Sequence, residues 1–562
     1  MRLALLLTSL ALALGLAVLT TQTPRPQPAG LAATGFSAER AMTDVRRIAR
    51  APHPVGSTEH GLVQAYLQGR MTQLGLNPTL QAGALSPAAV GRIADRGESV
   101  DGLSVVNLVG VLPGRNPRLP AVVLMAHYDS VPGSPGAADD ASGVAAILEA
   151  VRAIKARGPA DRTLVVLLTD GEELNLDGAR AFFSEHPLRD RVGAVVNLEA
   201  RGGGGRAMMF ETGPGNAETI DLYARAMRDA DGGPASNALA IFVYRLMPNG
   251  TDFSIAANRG VAGVNLAFLG RPSQYHSPSS TPDALDQGSL QHIGSQALEA
   301  ADAFLRAPVL PRATANAVYA DVFGLGVVRH GPGTGWILLG AAGLLTAFAA
   351  WGARHATGLT WRQGIKGLTG GLWLLAAGVV FAQAVRVLAG PVGSRSQSAE
   401  TYYLLLRRLP WMEAGVGLAI LAVAVVLMAG RALVGRRLLA AAVGAAAVLA
   451  LALGGLDLIT AGAAAVAVIL SLWPAGEDES VWGGWLLGLG HFVFLGLGMD
   501  RPGALGLIAL LIVVLARPLA PTNPASARTL AAVGAAALIL GGGVALAART
   551  AEPPVAAEIE IP

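Results

Sequence analysis

The chain has 562 residues, enough for a large folded domain and more, and with no cysteine it holds neither a disulfide nor a thiolate metal site. Hydrophobic residues make up 52% and charged residues only 14%, so part of the chain meets a solvent other than water. The formal net charge is +3, and no Lys/Arg run or basic-aromatic interleaving occurs, which argues against a nucleic-acid partner.

Residues 1–22 carry one Arg and then an apolar run from Leu3 to Leu19. A cleavable signal peptide and an uncleaved anchor both fit; Ala17-Val18-Leu19 is a poor small-x-small cleavage site, which favours the anchor. Either places the following domain across a membrane from the cytoplasm. Residues 24–35 read as a Pro-, Gln- and Gly-containing linker. From Ser37 to Leu76 the apolar spacing is helical, interrupted by Pro52-His53-Pro54-Val55-Gly56-Ser57. Val105–Leu112 reads as a strand, ended by Pro113-Gly114, and Val122–Met125 as a buried strand. Ala141–Ala156 has helical spacing with Asp140 placed to cap it, and Leu164–Leu168 reads as a second buried strand. A helix at Ala179–Glu185 and a strand at Val192–Leu198 continue the alternation, which predicts a mainly parallel or mixed sheet flanked by helices. Gly202 to Gly205 lack the Lys-Ser/Thr of a phosphate loop and the G-x-G-x-x-G spacing, and read as a flexible turn between strands. A helix at Ala217–Arg228, a loop at Asp231–Gly250, a strand at Gly263–Leu269 and a helix near Gly288–Phe304 complete the domain, with a connector after Arg306.

The chemistry gathers where the strands end. Met125-Ala126-His127-Tyr128-Asp129-Ser130 closes the first buried strand, Gly136-Ala137-Ala138-Asp139-Asp140-Ala141-Ser142-Gly143 leads into the helix, and Thr169-Asp170-Gly171-Glu172-Glu173-Leu174 closes the second strand. An imidazole, a carboxylate pair and an adjacent Glu-Glu pair supply what a two-metal site needs: a terminal ligand on each ion, a shared carboxylate and a free base beside a ligand. Singly, His127 fits a satisfied strand-end histidine, Asp139 and Asp140 fit helix caps, and Glu172 with Glu173 fits a solvated loop. Their common place past the carboxyl ends of strands, where ligands bind in open α/β sheets, favours the joint reading.

Val195-Val196-Asn197-Leu198-Glu199-Ala200 and Tyr275-His276-Ser277 follow in order. With them, the pattern resembles the M28 family of zinc peptidases over about residues 40–310. It is similar to that family's membrane-embedded branch, the endoplasmic reticulum metallopeptidase and vacuolar membrane protease group, through Asn-Leu-Glu-Ala, Thr251-Asp252-Phe253 and a multi-spanning tail. The resemblance implies the zinc aminopeptidase type of fold, two zinc ions per chain and a peptide substrate. It implies that Asp139 bridges the ions, that His127 and Glu199 complete one position, and that Glu173 and His276 complete the other. It further implies Glu172 as general base, Tyr275 as donor to the oxyanion, and Asp129 as partner of the far nitrogen of His127. Asp140 follows the bridge through a peptide bond that is commonly cis in the family. Ser280 stands where the family usually has Asp, a departure that puts a supporting role in doubt, whereas Glu199 in place of Asp agrees with the membrane branch. His53 and His60 fall outside a ligand set that is complete without them.

Apolar segments then fall at about Trp336–Ala353, Leu368–Leu388, Trp411–Ala429, Leu438–Leu456, Leu458–Trp473, Val481–Leu497, Ala504–Val514 and Leu530–Ala548. The lipid bilayer is therefore the expected solvent for eight spans, or nine with the N-terminal run. With a cytoplasmic N-terminus, nine spans put Arg354, Arg362, Lys366, Arg431, Arg436, Arg437, Arg517 and Arg528 in cytoplasmic loops, against Arg395, Arg407 and Arg408. That topology leaves the catalytic domain on the non-cytoplasmic side, periplasmic in a bacterium or lumenal in a eukaryote. His491 is the one ionisable group well inside an apolar run. The expected organisation is an anchor at 1–23, a dizinc peptidase domain at 24–330 and a transmembrane domain of about eight helices at 331–562. Three rival readings are a receptor or assembly factor that keeps the fold, a transporter with an appended domain, and a one-metal cyclase like the glutaminyl cyclases. The intact ligand set counts against the first, and the poverty of charge in the spans against the second.

Overall fold

Apolar strands buried on both faces build the first of two units into which the chain divides, Thr21 to Thr334; the second holds the apolar helices from Gly335 onward. The computed structural model describes residues 21–246, 250–357, 361–390, 399–429, 431–473 and 524–550. The first unit begins α1 (Ala38–Ile48), α2 (Thr58–Gln73), β1 (Thr79–Gly83), α3 (Pro87–Ala94), β2 (Val105–Leu112), β3 (Ala121–His127) and α4 (Ala141–Ala156). It continues β4 (Leu164–Thr169), a single-turn α5 (Glu172–Asn175), α6 (Asp177–Glu185), β5 (Val192–Ala200), β6 (Gly204–Thr212), α7 (Ala217–Ala226), α8 (Ala238–Leu246) and α9 (Asp252–Asn258). It ends with β7 (Ala262–Gly270), α10 (Gln287–Arg306) and a hairpin of β8 (Val318–Asp321) and β9 (Val327–His330).

Strands β1 to β7 form one mixed sheet in the order β1-β2-β4-β3-β5-β7-β6. The inner four, β4, β3, β5 and β7, run parallel, and β1, β2 and β6 pair antiparallel with their neighbours. All of β3 is buried, which is why it sits inside: Val122, Leu124 and Ala126 face the layer that includes α1, α4 and α10. Val123 and Met125 face the other layer, against Phe182 and Phe183 of α6 and Phe253 of α9. Because the inner strands are parallel, all four deliver their carboxyl ends to one edge of the sheet.

The structure departs from expectation in four places. Residues 24–35 are pinned rather than a free linker: Arg40 donates to the carbonyls of Ala29, Leu31 and Gly35, Arg152 to Ala33 and Gly35, and Arg157 to Thr34. The segment 231–250 contains helix α8, which Asn237 caps by accepting from the Ala240 N–H at 2.8 Å; the turn residues of 231–237 mask the helix-competent run behind them. The stretch from Gly202 continues into β6, whose start is a strand edge with Gly205 at φ 88°. The connector after Arg306 includes the β8–β9 hairpin.

The described residues of the second unit form helices: α11 (Pro332–Thr357), α12 (Trp361–Leu388), α13 (Ala399–Ala429), α14 (Arg431–Val434), α15 (Arg436–Gly454), α16 (Leu458–Leu472) and α17 (Pro524–Thr550). Among the described residues Thr369–Leu388, Arg408–Val426, Arg436–Gly454 and Ala531–Arg549 are long and apolar enough to cross a membrane, and Leu458–Leu472 is a shorter apolar helix. Arg431, which charge counting assigns to a loop, is buried: it donates to the Leu470 carbonyl at 2.5 Å, and its guanidinium lies 5.5 Å above the Trp373 ring. The runs Leu3–Leu19, Val481–Leu497 with His491, and Ala504–Val514 lie outside the described residues.

One close approach decides where the Glu-Glu turn sits. The first turn of α6 lies against the backbone of Asp170, with the Gly178 N–H donating to the Asp170 carbonyl at 2.8 Å, and a β-carbon at Gly178 would overlap that oxygen and the Asn107 amide. Gly178→Ala is therefore expected to destabilise the domain by about 1–3 kcal/mol in denaturant unfolding, despite the helix preference of Ala, because backbone cannot rotate away. An unchanged or raised midpoint would show that the turn absorbs the extra carbon.

Candidate metal centre

Each inner strand contributes one arm of the site. His127 ends β3, and Glu199 is the penultimate residue of β5. Beyond β4 the chain turns through Gly171, at φ 67°, into α5, whose first two residues are Glu172 and Glu173. Beyond β7 it passes Arg271, at φ 53°, to Tyr275 and His276, the latter at φ 50°. Left-handed backbone at a residue with a β-carbon costs about 1–3 kcal/mol, and such residues cluster at functional sites. The turn before α4 supplies Asp139, joined to Asp140 by a cis peptide bond. Ser280, the departure noted above, holds this turn: its carbonyl accepts from Ala137 N at 3.0 Å and its hydroxyl from Ala138 N at 3.5 Å.

The five side chains expected as ligands meet. Asp139 lies between two imidazoles, Oδ1 3.0 Å from His127 Nε2 and Oδ2 3.1 Å from His276 Nε2. Glu173 Oε1 is 2.9 Å from the same His276 nitrogen, and Glu199 Oε2 is 3.8 Å from His127 Nε2. The Nδ1 of His127 faces the Asp129 backbone carbonyl at 3.0 Å, which leaves Nε2 for the centre. The expected partner, the Asp129 carboxylate, stands farther off at 3.5 Å. It accepts instead from the N–H groups of Glu172 and Glu173, at 3.2 and 3.3 Å, and so holds the Glu-Glu turn. Asp140 caps α4 through Gly143 N at 3.0 Å. Tyr275 stacks on His276, ring centroids 3.8 Å apart, and the Arg201 guanidinium lies 5.7 Å from the Tyr275 ring centroid.

Two histidines stay outside the cluster: His60 Nε2 is 2.8 Å from Asp170 Oδ1, and His53 Nδ1 faces the Ala51 carbonyl. One group carried no assigned role in the sequence reading. Asp252, buried on α9, hydrogen-bonds with the Thr169 hydroxyl and faces His127 and Asp129; its only signal was its place in Thr-Asp-Phe.

Charge dominates the electrostatics. Asp129, Asp139, Asp140, Glu172, Glu173, Glu199 and Asp252 share the site, and among the described residues no Lys or Arg forms an ion pair with any of them. Burial pushes Glu172, Glu199 and Asp140 well above the ordinary carboxyl range, and Asp252 up to about 7. At Asp139 burial acts upward too, but the hydrogen bonds from His127 and His276 outweigh it and bring the group to about 2. Burial lowers both imidazoles, and the surrounding carboxylates overcome it and raise them well above the usual value. Such a cluster calls for added positive charge, because buried carboxylates are costly unless paired or coordinated.

The donor set fits metal ions. His127, Asp139 and Glu173 offer ligand atoms within 4.8 Å of one another, and so do His127, Asp140 and Glu199. Asp140 spends Oδ1 on its helix cap and keeps Oδ2 buried without a hydrogen-bond partner, while Asp139 turns one oxygen to each imidazole.

The domain is a helix-flanked mixed sheet with ligand-type side chains at the carboxyl ends of its parallel strands, and among the described residues four helices of the second unit are long and apolar enough to cross a membrane. Residues 107–301 match Peptidase family M28. The chain is 31% identical over 294 residues to a vacuolar membrane protease of Eremothecium gossypii, covering 50% of this chain and 28% of that one. It is 32% identical over 235 residues to endoplasmic reticulum metallopeptidase 1 of Homo sapiens, covering 40% and 26%. The match thus spans less than a third of the length of either relative. Among solved structures, an aminopeptidase from Aneurinibacillus sp. strain AM-1 superposes with a TM-score of 0.40 at 15% identity, covering 50% of this chain and 97% of that one. A glutaminyl cyclase of Porphyromonas gingivalis does so at 0.36 and 18%, covering 48% and 98%.

The charge balance fixes a pH response. Raised carboxyls and raised imidazoles both mean that the folded state holds protons the unfolded chain has released, so stability present at low pH is lost as pH rises. The depressed Asp129 and Asp139 act with the opposite sign, but only at more acid pH. His53, whose burial lowers its imidazole, also acts with the opposite sign, below its ordinary value of about 6.5. The chelator-treated chain should lose about 1.4 kcal/mol per pH unit between about pH 6.5 and 8, the slope for one proton. Glu172→Gln should flatten that slope, and a wild-type stability that is level or rises over this range would contradict the charge balance.

Proposed function

We propose that the chain is a membrane-bound, zinc-dependent exopeptidase of the aminopeptidase type, with its catalytic domain on the non-cytoplasmic side of the membrane. The observation that carries the reading is the Asp139 carboxylate set between two imidazole nitrogens, each with a further carboxylate at hand. The match of residues 107–301 to a peptidase family and relatives named as a protease and a metallopeptidase support peptides as the substrate class.

In this reading Asp139 would serve both zinc ions, His127 and Glu199 would hold one, and Glu173 and His276 would hold the other. Bound zinc supplies Lewis-acid polarisation of the scissile carbonyl and makes the attacking water more acidic. Glu172, on a turn held by the Asp129 carboxylate, accepts a proton from that water and later delivers it to the nitrogen of the leaving amine. Returning the proton restores Glu172 to its starting state. Tyr275, whose burial beside carboxylates keeps the phenol protonated, donates to the oxyanion of the tetrahedral species. The excess of buried negative charge suits a substrate whose first residue brings a cationic α-amino group, which favours removal of N-terminal residues.

Glu172→Gln is expected to lower kcat on an unblocked aminoacyl or peptide reporter by about 10²–10⁴-fold while two zinc ions per chain remain bound. Full turnover at full occupancy would remove Glu172 from the role of base. His276→Ala should bring the zinc content, measured by atomic emission on the purified chain, to about one ion or fewer. A chain that still binds two ions would show that the last ligand lies elsewhere.

A further inference from the structure

Behind Glu199 runs a row of buried polar side chains that the proposed chemistry does not use. Asn197 on β5 pairs in register with Asn265 on β7, and Asn265 pairs with Glu211 on β6. Glu199 lies two residues beyond Asn197 and so on the same face of the strand. Both amides are fully buried, and Glu211 nearly so. The Asn197 amide nitrogen donates to Glu199 Oε1 at 3.1 Å and to the Asn265 oxygen at 3.0 Å. The Asn265 nitrogen donates in turn to Glu211 Oε2 at 3.0 Å and to the Thr251 hydroxyl at 2.8 Å. The other Glu211 oxygen accepts from the Ser254 hydroxyl at 3.2 Å.

The row has one polarity. With an acceptor carboxylate at each end, reversing either amide would set oxygen against oxygen in a site closed to water. The consequence reaches Glu199. Its Oε1 is taken by Asn197, so Oε2 is the oxygen that faces His127. We propose that Asn265 is a positioning residue which, through Asn197 and anchored by Glu211, fixes the orientation of the Glu199 carboxylate and thereby sets the affinity of the one metal position that Glu199 completes. This rests on the metal-centre reading above. The Glu173 and His276 position meets this one through Asp139 rather than through Glu199 and should feel the row far less.

The test is stepwise zinc binding by the full-length chain in detergent, read by competition with a chromophoric chelator, for wild type, Asn265→Leu, Glu211→Leu and Glu211→Gln. In Asn265→Leu and Glu211→Leu one of two binding steps should weaken about 10–100-fold, the cost usual for losing a group that orients a ligand, while the other step moves far less and KM at saturating zinc stays unchanged. Glu211→Gln keeps an acceptor oxygen for Asn265 and should bind both ions as wild type does. A merely structural role would weaken both steps together, or spare both, and either result overturns the proposal. If Asn265→Leu does not fold, the contrast between Glu211→Leu and Glu211→Gln, one strand farther from the metals, decides. Fewer than two zinc steps in wild type would overturn the metal-centre reading itself, and this inference with it.

Discussion

The contact on which the rest depends is the Asp139 carboxylate held between His127 Nε2 at 3.0 Å and His276 Nε2 at 3.1 Å. Two nitrogens separated by 149 positions in sequence converge on one carboxylate because β3 and β7 are parallel inner strands whose chains leave the same edge of the sheet. Around that contact further carboxyl groups are buried without an Arg or Lys partner among the described residues. An arrangement of that kind is unfavourable until cations enter it, and the fold offsets the cost through apolar layers on both faces of the sheet.

Much of the first unit was legible because its signals are local. Val105–Leu112 and Ala141–Ala156 form with the boundaries expected, the first from a β-branched run closed by Pro113-Gly114 and the second from helical spacing behind a capping Asp140. The Glu-Glu segment opens a short helix rather than lying in a loop, a distinction that four residues cannot reveal by periodicity. The missed elements fail for physical reasons. Strand β1, with three exposed positions, lacks an apolar run, and α8 follows a Gly-Pro-Ser-Asn cluster that reads as loop. The pinned N-terminal segment depends on arginines 5 to 123 residues away, and the distant ones no local pattern encodes.

At the site, the residue types and order in the sequence pointed to the side chains that the structure brings together, while their detailed partners depended on the fold. The Asp129 carboxylate serves the Glu172 and Glu173 backbone more closely than it serves His127, because the turn into α5 lies over the end of β3. Asn265 is a lone amide in the apolar run Gly263–Leu269, and a buried polar group in such a strand needs partners, but only the register of β5, β7 and β6 shows which ones it has. In the helical unit the long apolar segments coincide with helices wherever the chain is described, whereas the burial of Arg431 against Trp373 was invisible to charge counting.

The most direct test of the central claim is anomalous scattering at the zinc edge from crystals of the zinc-loaded full-length protein. Two peaks about 3.5–4 Å apart are expected against Asp139, one beside His127 and Glu199 and the other beside Glu173 and His276. A single peak, or zinc bound away from these five side chains, would contradict it.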